Sequence, residues 1–157
     1  MQYLFMLLFA GGIVGLDQWT KWLVQENIPL FGRVEAIPGL FSLTYTQNTG
    51  AAWSAMEGMI WLFVLIFLVF AAGMVFEFVT KKIGLTTLER WCVVAIFGGG
   101  LGNMIDRIRM GYVVDMIRLE FMDFPVFNVA DCFITCGCIL LMIHLLVFNK
   151  EFWKENK

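Results

Sequence analysis

Two aspartates lie in apolar sequence, where an unpaired carboxylate is unfavourable. Asp115 lies within the apolar segment 113–117, and Asp131 stands immediately before the apolar run 132–148. A carboxylate at hydrocarbon depth costs about 2.5–3.5 kcal/mol on insertion scales, so it persists only where something offsets that cost. These two aspartates are therefore the first candidates for a functional site.

The chemistry open to such a pair is the activation of water. Two neighbouring carboxylates do not easily ionise together, so they share a proton and titrate as one coupled unit. One carboxylate oxygen takes a proton from water while the other carboxyl group donates its proton to a substrate carbonyl. The plain structural alternative is two unrelated aspartates, with Asp131 capping a helix and Asp115 on a loop.

The sequence offers no other complete catalytic set. His144 is the only histidine and lies far along the last apolar run, whereas both serines, Ser42 and Ser54, precede the second run. A Ser-His-Asp triad needs its histidine beside the serine, so His144 is interpreted as a helix-packing residue. The cysteines have no external histidine to activate them and no closed set of zinc ligands, which predicts that no metal is bound. They all fall in apolar segments: Cys92, Cys132, Cys136 and Cys138.

In each of two further polar pairs, the two residues are one helical turn apart. Asp17 and Lys21 have i,i+4 spacing at the end of the first apolar run. They form either an interfacial ion pair worth about 0.2–0.5 kcal/mol or a structural support beside a site. Asn103 and Arg107 have the same spacing and could both donate hydrogen bonds toward a carboxylate.

Two glycine-containing segments have a structural and a functional interpretation. The segment 48–50 is a polar turn whose Asn48 amide and Gly50 backbone could bind a peptide or another polar ligand, although the turn alone is ordinary loop sequence. The glycines in 98–102 lack the Gly-Lys-Ser/Thr ending of a phosphate-binding loop. They are interpreted as positions of close helix packing.

The composition is that of an integral membrane protein. The chain has 157 residues, of which 60% are hydrophobic and 15% are charged, whereas about 25% of residues in soluble domains are charged. This length predicts one domain that covers residues 1–157. The formal net charge of −2 is too small to indicate nucleic acid as a partner.

Four apolar runs are long enough to cross a bilayer, which needs about 20 residues. They are predicted at about 3–24, 59–79, 88–105 and 132–148, with external segments at about 25–58 and 107–131. The first run lacks a basic start and an Ala-x-Ala site, so it is predicted to be a retained span. Basic residues at Lys81, Lys82 and in the tail 150–157 mark the cytoplasmic side, which predicts that both termini are cytoplasmic.

Local patterns predict how these spans begin and what joins them. The external segments 40–46 and 113–121 have strand-like composition, with Asp115 on the more apolar face of the second strand. Thr86 and Glu89 have capping-box spacing at the start of the third span. Glu77 and Lys81 could pair one turn apart at the end of the second span. The predicted fold class is a membrane bundle of four transmembrane helices with a small extracytoplasmic β-rich region.

Five ordered motifs resemble the signal peptidase II family of bacterial membrane aspartyl peptidases. The resemblance extends from residue 17 to residue 131 and depends on the order of all five motifs. These motifs are Asp17…Lys21, Asn48-x-Gly50-Ala51-Ala52, Gly99-x-x-Gly102-Asn103-x-x-Asp106-Arg107, Val113-Val114-Asp115 and Phe127-Asn128-x-Ala130-Asp131.

The resemblance implies an endopeptidase that removes the signal peptide from prolipoproteins whose cysteine already carries diacylglycerol. It also implies a cut before that cysteine, an active site at the outer face of the bacterial cytoplasmic membrane, no cofactor and sensitivity to the antibiotic globomycin. We further expect a monomer surrounded by membrane lipid. Asp115 and Asp131 match the catalytic aspartates. The remaining matches are substrate-binding or supporting residues: Asn48, Gly50, Asn103, Arg107, Asn128, Ala130, Asp17 and Lys21.

Two other classes of protein compete with this interpretation. A small proton-coupled transporter also uses carboxylates within the membrane, but it requires a polar path to the opposite side. A non-catalytic assembly factor would tolerate an amide in place of either aspartate. Phe121, Phe124 and Phe127 are expected to cover the site of a peptidase and exclude bulk water.

Overall fold

The computed structural model describes residues 1–50 and 57–148, which form four helices and three strands. Ser54 and the basic tail 150–157 lie outside the described residues. The described elements begin and end with a helix. They are α1 (Gln2–Asn27), β1 (Arg33–Ile37), β2 (Phe41–Asn48), α2 (Ile60–Thr80), α3 (Thr87–Met110), β3 (Val113–Leu119) and α4 (Val129–Val147).

Three of the four helices, α1, α2 and α4, are long and apolar enough to cross a membrane. The chain is therefore a multi-pass membrane protein, as the composition predicted. The third predicted span, α3, carries charges at both ends, including Glu89 and Arg107, and packs against all three other helices. Because those helices cover it, α3 needs fewer apolar side chains than a helix that faces lipid.

The glycines of α3 allow this close packing, as predicted. A Cβ atom at Gly102 would lie 2.5 Å from Oδ2 of Asp17, and one at Gly99 would lie 2.5 Å from the carbonyl oxygen of Ala130. The glycines do not end the helix, which continues to Met110 instead of stopping near residue 105. Contacts across the bundle therefore offset the low helix propensity of glycine.

The N-termini of α3 and α4 carry the same kind of cap. Thr86 and Glu89 form the predicted capping box at the start of α3. Asn128 and Asp131 form a second one at the start of α4, in which each side chain accepts the other's backbone N–H. This box fixes Asp131 at the first turn of α4, so its position relative to Asn128 is set by the helix.

The turn between α2 and α3 is organised by Glu77, which is only 1% exposed. Its carboxylate accepts the backbone N–H groups of Ile83 and Leu85 and pairs with Arg90 at 3.4 Å. The expected pairing of Glu77 with Lys81 is wrong, because Lys81 leaves the helix with a left-handed backbone, φ 55°.

His144 has a polar role in addition to its place on a packed helix. Its Nδ1 lies 2.8 Å from Oε1 of Glu89, a buried carboxylate at the start of α3. The prediction of a packing residue therefore missed a contact that links α3 and α4 at the end of the bundle opposite the sheet.

The three strands form an antiparallel sheet in the order β1-β2-β3. Strands β2 and β3 confirm the two predicted strands. Strand β1 was not predicted, because it is short, fully exposed and interrupted in pattern by Arg33 and Glu35. Residues Val113 to Met116 of β3 are all buried, so both faces of this strand are covered at Asp115.

Candidate active site

Asp115 is held on β3 by two side-chain amides. Asn48 Nδ2 donates to Asp115 Oδ2 at 2.9 Å, and Asn128 Nδ2 donates to Asp115 Oδ1 at 2.7 Å. The residue is 3% exposed. Burial raises the pKa of Asp115 from 3.8 to about 6, and the nearby charge of Asp131 acts in the same direction. The two amides and the charge of Lys21 act against that increase.

Asp131 is held by the cap of its own helix and by α3. Its Oδ2 accepts the backbone N–H of Asn128 at 3.1 Å, and its Oδ1 accepts Nδ2 of Asn103 at 2.8 Å. The helix-capping interpretation of Asp131 is therefore correct, and it is compatible with a place in a pair. Asn128 contacts both carboxylates, one through its side chain and one through its backbone.

Both aspartates face one cavity of about 760 Å³ between α2, α3, α4 and the sheet. Its wall is mostly apolar. Phe124 and Phe127 line it as expected, but Phe121 does not and is 61% exposed. Other lining residues are Phe63, Ile66, Phe67, Phe70, Ile96, Met104, Ile134 and Cys136. The carboxylates thus lie at the polar end of a mostly apolar cavity.

Arg107 reaches the cavity without bonding either carboxylate, contrary to the expectation from its spacing. Its guanidinium donates to the carbonyl oxygen of Gly50 at 2.8 Å and lies 4.4 Å from the ring centre of Phe63. The backbone N–H of Gly50 in turn donates to Asn48 Oδ1 at 2.9 Å. Arg107 therefore holds the turn that presents Asn48 to Asp115.

Asp17 and Lys21 are buried beneath the two aspartates. Lys21 Nζ contacts Asp17 Oδ2 at 2.8 Å, Asp106 Oδ2 at 2.9 Å and Asn103 Oδ1 at 2.9 Å. The interpretation as an interfacial ion pair is wrong, because Asp17 is 0% and Lys21 only 2% exposed. Close packing of α1 on α3 excludes water from this ion pair.

Sequence reasoning missed Asp106 and Gln18 as part of this network. Gln18 Nε2 donates to Asp106 Oδ1 at 2.8 Å, and Asp106 Oδ2 accepts the backbone N–H of Val114 at 3.1 Å. Asp106 belongs to the same motif as Asn103 and follows it by three residues, which could have indicated a shared helix face. Ala130, another predicted site residue, donates its backbone N–H to Asp17 Oδ1 at 3.0 Å.

Within the described residues, no group of three or more His, Cys, Asp or Glu side chains is arranged to hold a metal ion. The polar groups around the carboxylates are amides, backbone N–H groups and one guanidinium. The amides and backbone N–H groups donate hydrogen bonds that orient the carboxylates, and the guanidinium donates to the Gly50 carbonyl.

The fold and the site define a multi-pass membrane protein whose polar centre is a pair of buried carboxylates. The family described as Signal peptidase (SPase) II matches residues 9–147. A lipoprotein signal peptidase from Streptococcus thermophilus is 42% identical over 144 residues, covering 92% of this chain and 89% of its own. One from Enterococcus faecalis is 41% identical over 155 residues, covering 96% of this chain and 92% of its own.

Solved structures of bacterial membrane enzymes have the same fold. One is 32% identical, with a TM-score of 0.85 over 93% of this chain and 90% of that one. A second has a TM-score of 0.80 at 32% identity, covering 92% of this chain and 94% of that one. The chain belongs to the signal peptidase II family and is an aspartyl protease that cleaves signal peptides.

Proposed function

We propose that this protein removes the signal peptide from prolipoproteins whose cysteine carries diacylglycerol, and that it cuts before that cysteine. The observation that carries the proposal is the shared contact of Asp115 and Asp131 with Asn128 at one end of an apolar cavity. In this proposal these two aspartates are the catalytic pair. Asn48, Gly50, Asn103, Arg107, Asn128 and Ala130 orient them or the substrate.

The pair activates a water molecule. With one proton shared between Asp115 and Asp131, one carboxylate takes a proton from water and the other carboxyl group protonates the scissile carbonyl. The resulting tetrahedral diol then collapses as its C–N bond breaks and the leaving amine receives a proton. No covalent acyl-enzyme forms. The raised pKa of Asp115 supports this scheme, because its carboxyl group retains a proton closer to neutral pH than an ordinary aspartate does.

The cavity suits a substrate made of a membrane helix and a lipidated cysteine. Aromatic rings of α2, including Phe67 and Phe70, line its apolar part. Ile66 on α2 and Cys136 on α4 are both exposed on the outside of the bundle while lining the cavity. A lipid-bearing substrate could therefore reach the carboxylates from the side, without leaving the bilayer.

We propose that α3 crosses the membrane as a fourth span and that residues 1–157 form one integral domain in the bacterial cytoplasmic membrane. At 24 residues α3 is about 36 Å long, which exceeds the hydrocarbon thickness of about 30 Å. Four crossings leave both termini on the side of Lys81 and Lys82, the cytoplasmic side. The sheet and the carboxylates then lie at the outer face, in a protein that acts as a monomer surrounded by membrane lipid.

The transporter alternative lacks a polar path. The polar residues at the two ends of α3, Glu89 and Asn103, are separated by 14 residues, or about 21 Å of helix. Beyond Arg90, which pairs with Glu77, the segment 91–102 carries no charged side chain. The carboxylates near the sheet are thus isolated from the Glu89–His144 contact at the other end.

Substitution of each aspartate by asparagine tests the proposal. We expect Asp115→Asn and Asp131→Asn to give folded, membrane-inserted protein with essentially no single-turnover cleavage of a diacylglyceryl prolipopeptide. The double variant should be little worse than either single one, because both residues form one unit. Asp123→Asn is the matched control, since Asp123 is exposed and does not line the cavity. Near-normal cleavage in either single variant would return the question to the transporter or assembly factor.

A further inference from the structure

The side-chain amide of Asn103 has only one orientation that fits its neighbours. Its Oδ1 lies 2.9 Å from Lys21 Nζ and 3.1 Å from Nδ2 of Asn128, and both of these nitrogens are donors. A lysine ammonium cannot accept a hydrogen bond. The oxygen of Asn103 must therefore face Lys21, which leaves its Nδ2 to donate to Asp131 Oδ1 at 2.8 Å.

We propose that Lys21 is a positioning residue that sets the pH dependence of cleavage by fixing the Asn103 amide as a donor to Asp131. This inference rests on the proposed function of the aspartate pair. Lys21 touches neither carboxylate of the pair through any described hydrogen bond. It acts through Asn103, whose side-chain N–H group donates to Asp131 Oδ1.

The ammonium of Lys21 is held by two carboxylates, so that its remaining N–H group points to Asn103. An ammonium has three N–H groups, and three acceptors surround Nζ on Asp17, Asp106 and Asn103. Asp17 is anchored by the backbone N–H of Ala130, and Asp106 by Gln18 and Val114. Because neither carboxylate is free to move, the bond from Lys21 to Asn103 is a fixed part of the network.

Charged and titratable groups approach Asp131 from several elements. Helix α1 contributes Asp17 and Lys21, α3 contributes Asp106 and Arg107, β3 contributes Asp115, and α4 contributes Cys132. Asn48 from β2 and Phe63 from α2 are uncharged. Lys21 differs from the other groups in this set because it bonds the same amide that bonds Asp131.

Without Lys21, Asn103 Oδ1 keeps only the longer bond from Asn128 Nδ2 at 3.1 Å, so the Asn103 amide is held less firmly and turns its oxygen toward Asp131 in a fraction of the molecules. A carbonyl oxygen in that position cannot donate to a carboxylate and can only accept a hydrogen bond from a carboxyl O–H group. In Lys21→Met protein, we therefore expect the acidic limb of the kcat/KM–pH profile to move upward by about one pH unit. We expect Lys21→Met to lower turnover more at pH values below the midpoint of that limb than at pH values above it.

A double-mutant cycle separates this role from a general effect of charge or folding. The pH profile of cleavage is measured for wild type, Lys21→Met, Asn103→Ala and the double variant, with a diacylglyceryl prolipopeptide. An infrared titration of the protonated-carboxyl band, read as the difference from Asp131→Asn protein, gives the same comparison in variants with little turnover. If Lys21 acts through Asn103, Lys21→Met shifts the profile more in the wild-type background than in Asn103→Ala, where only the direct effect of the Lys21 charge on Asp115 remains.

The outcomes distinguish the inference from the function on which it rests. An absent shift in Lys21→Met, or an equal shift in both backgrounds, overturns the positioning role while leaving the catalytic pair intact. Retained cleavage in Asp115→Asn or Asp131→Asn overturns the function itself. If Lys21→Met does not fold, the cycle is run on an Asp106→Asn background. There the lysine substitution leaves one carboxylate, Asp17, without its Lys21 partner, instead of both Asp17 and Asp106.

Discussion

Gly102 and Asp17 meet where helices α3 and α1 cross, and the absence of a side chain at Gly102 makes room for the carboxylate. A Cβ atom there would lie 2.5 Å from Oδ2 of Asp17, the oxygen that binds Lys21. We expect Gly102→Ala to destabilise the protein by about 1–3 kcal/mol, because the helices must separate or the ion pair must break. Thermal unfolding in detergent measures the loss. Gly73→Ala is the control, since nothing lies within 4 Å of its added Cβ, and an equal loss there would contradict the packing argument.

Asn128 is the only described side chain that both bonds Asp115 and caps the helix that carries Asp131. We expect Asn128→Ala to lower turnover by roughly 10²–10³-fold, the range found when one oriented donor is removed from an active site. Steady-state kinetics should show the loss mainly in kcat, because substrate binding depends on the cavity wall. Asn27→Ala serves as the control, since Asn27 is exposed and bonds only the carbonyl oxygen of Leu23 among described contacts. A change confined to KM would argue against a role for Asn128 in the chemical step.

The raised pKa of Asp115 has a consequence for stability. Its folded-state pKa of about 6 exceeds its ordinary value of 3.8, so the folded protein binds this proton more tightly than the unfolded chain does. The stabilisation is fully present below about pH 4 and is lost as the pH rises through about 6. The total loss of stability across this pH range is about 2–3 kcal/mol, since each pKa unit corresponds to 1.36 kcal/mol.

We therefore expect wild-type protein to lose thermal stability relative to Asp115→Asn as the pH rises from about 4 to about 8. Any pH-independent effect of the Asp115→Asn substitution on stability cancels, because only the change in stability with pH is compared. Melting temperatures at a series of pH values provide the measurement, with the exposed Asp123→Asn as a variant that should follow wild type. Parallel curves for wild type and Asp115→Asn would show that Asp115 holds no extra proton.

The apolar cavity should make cleavage depend on the lipid of the substrate. Each buried CH₂ group contributes about 0.8 kcal/mol, so a prolipopeptide with a bare thiol should be a far poorer substrate in the same detergent. Phe70→Ala should reduce this preference, because Phe70 lines the cavity. Phe76→Ala should not, because Phe76 is 49% exposed on the same helix and does not line the cavity. The ratio of kcat/KM values for the two peptides measures the effect, and equal cleavage of both peptides by wild type would remove lipid recognition.

The sequence was sufficient to predict local features of the structure, such as the strand that carries Asp115 and the cap of α3. Asp115 on a strand and the cap at the start of α3 both depend on residues within a few positions of each other, so pattern and spacing were enough. The partner of Lys21 on α3, Asp106, is 85 residues away from it along the chain, and only the packing of α1 on α3 brings the two together. Spacing likewise placed Arg107 on the correct face of α3 but did not reveal that its partner is the Gly50 carbonyl.

Glu77 completes the α2–α3 turn using atoms of that hairpin alone. Its carboxylate accepts the N–H groups of Ile83 and Leu85 and pairs with Arg90, while α2 packs mainly on α3. All the contacts that hold this turn therefore come from residues of α2, α3 and the chain between them. With α3 crossing the membrane as we propose, we expect this hairpin to enter the bilayer during synthesis as a paired unit, with its turn already hydrogen-bonded, before α4 has left the ribosome.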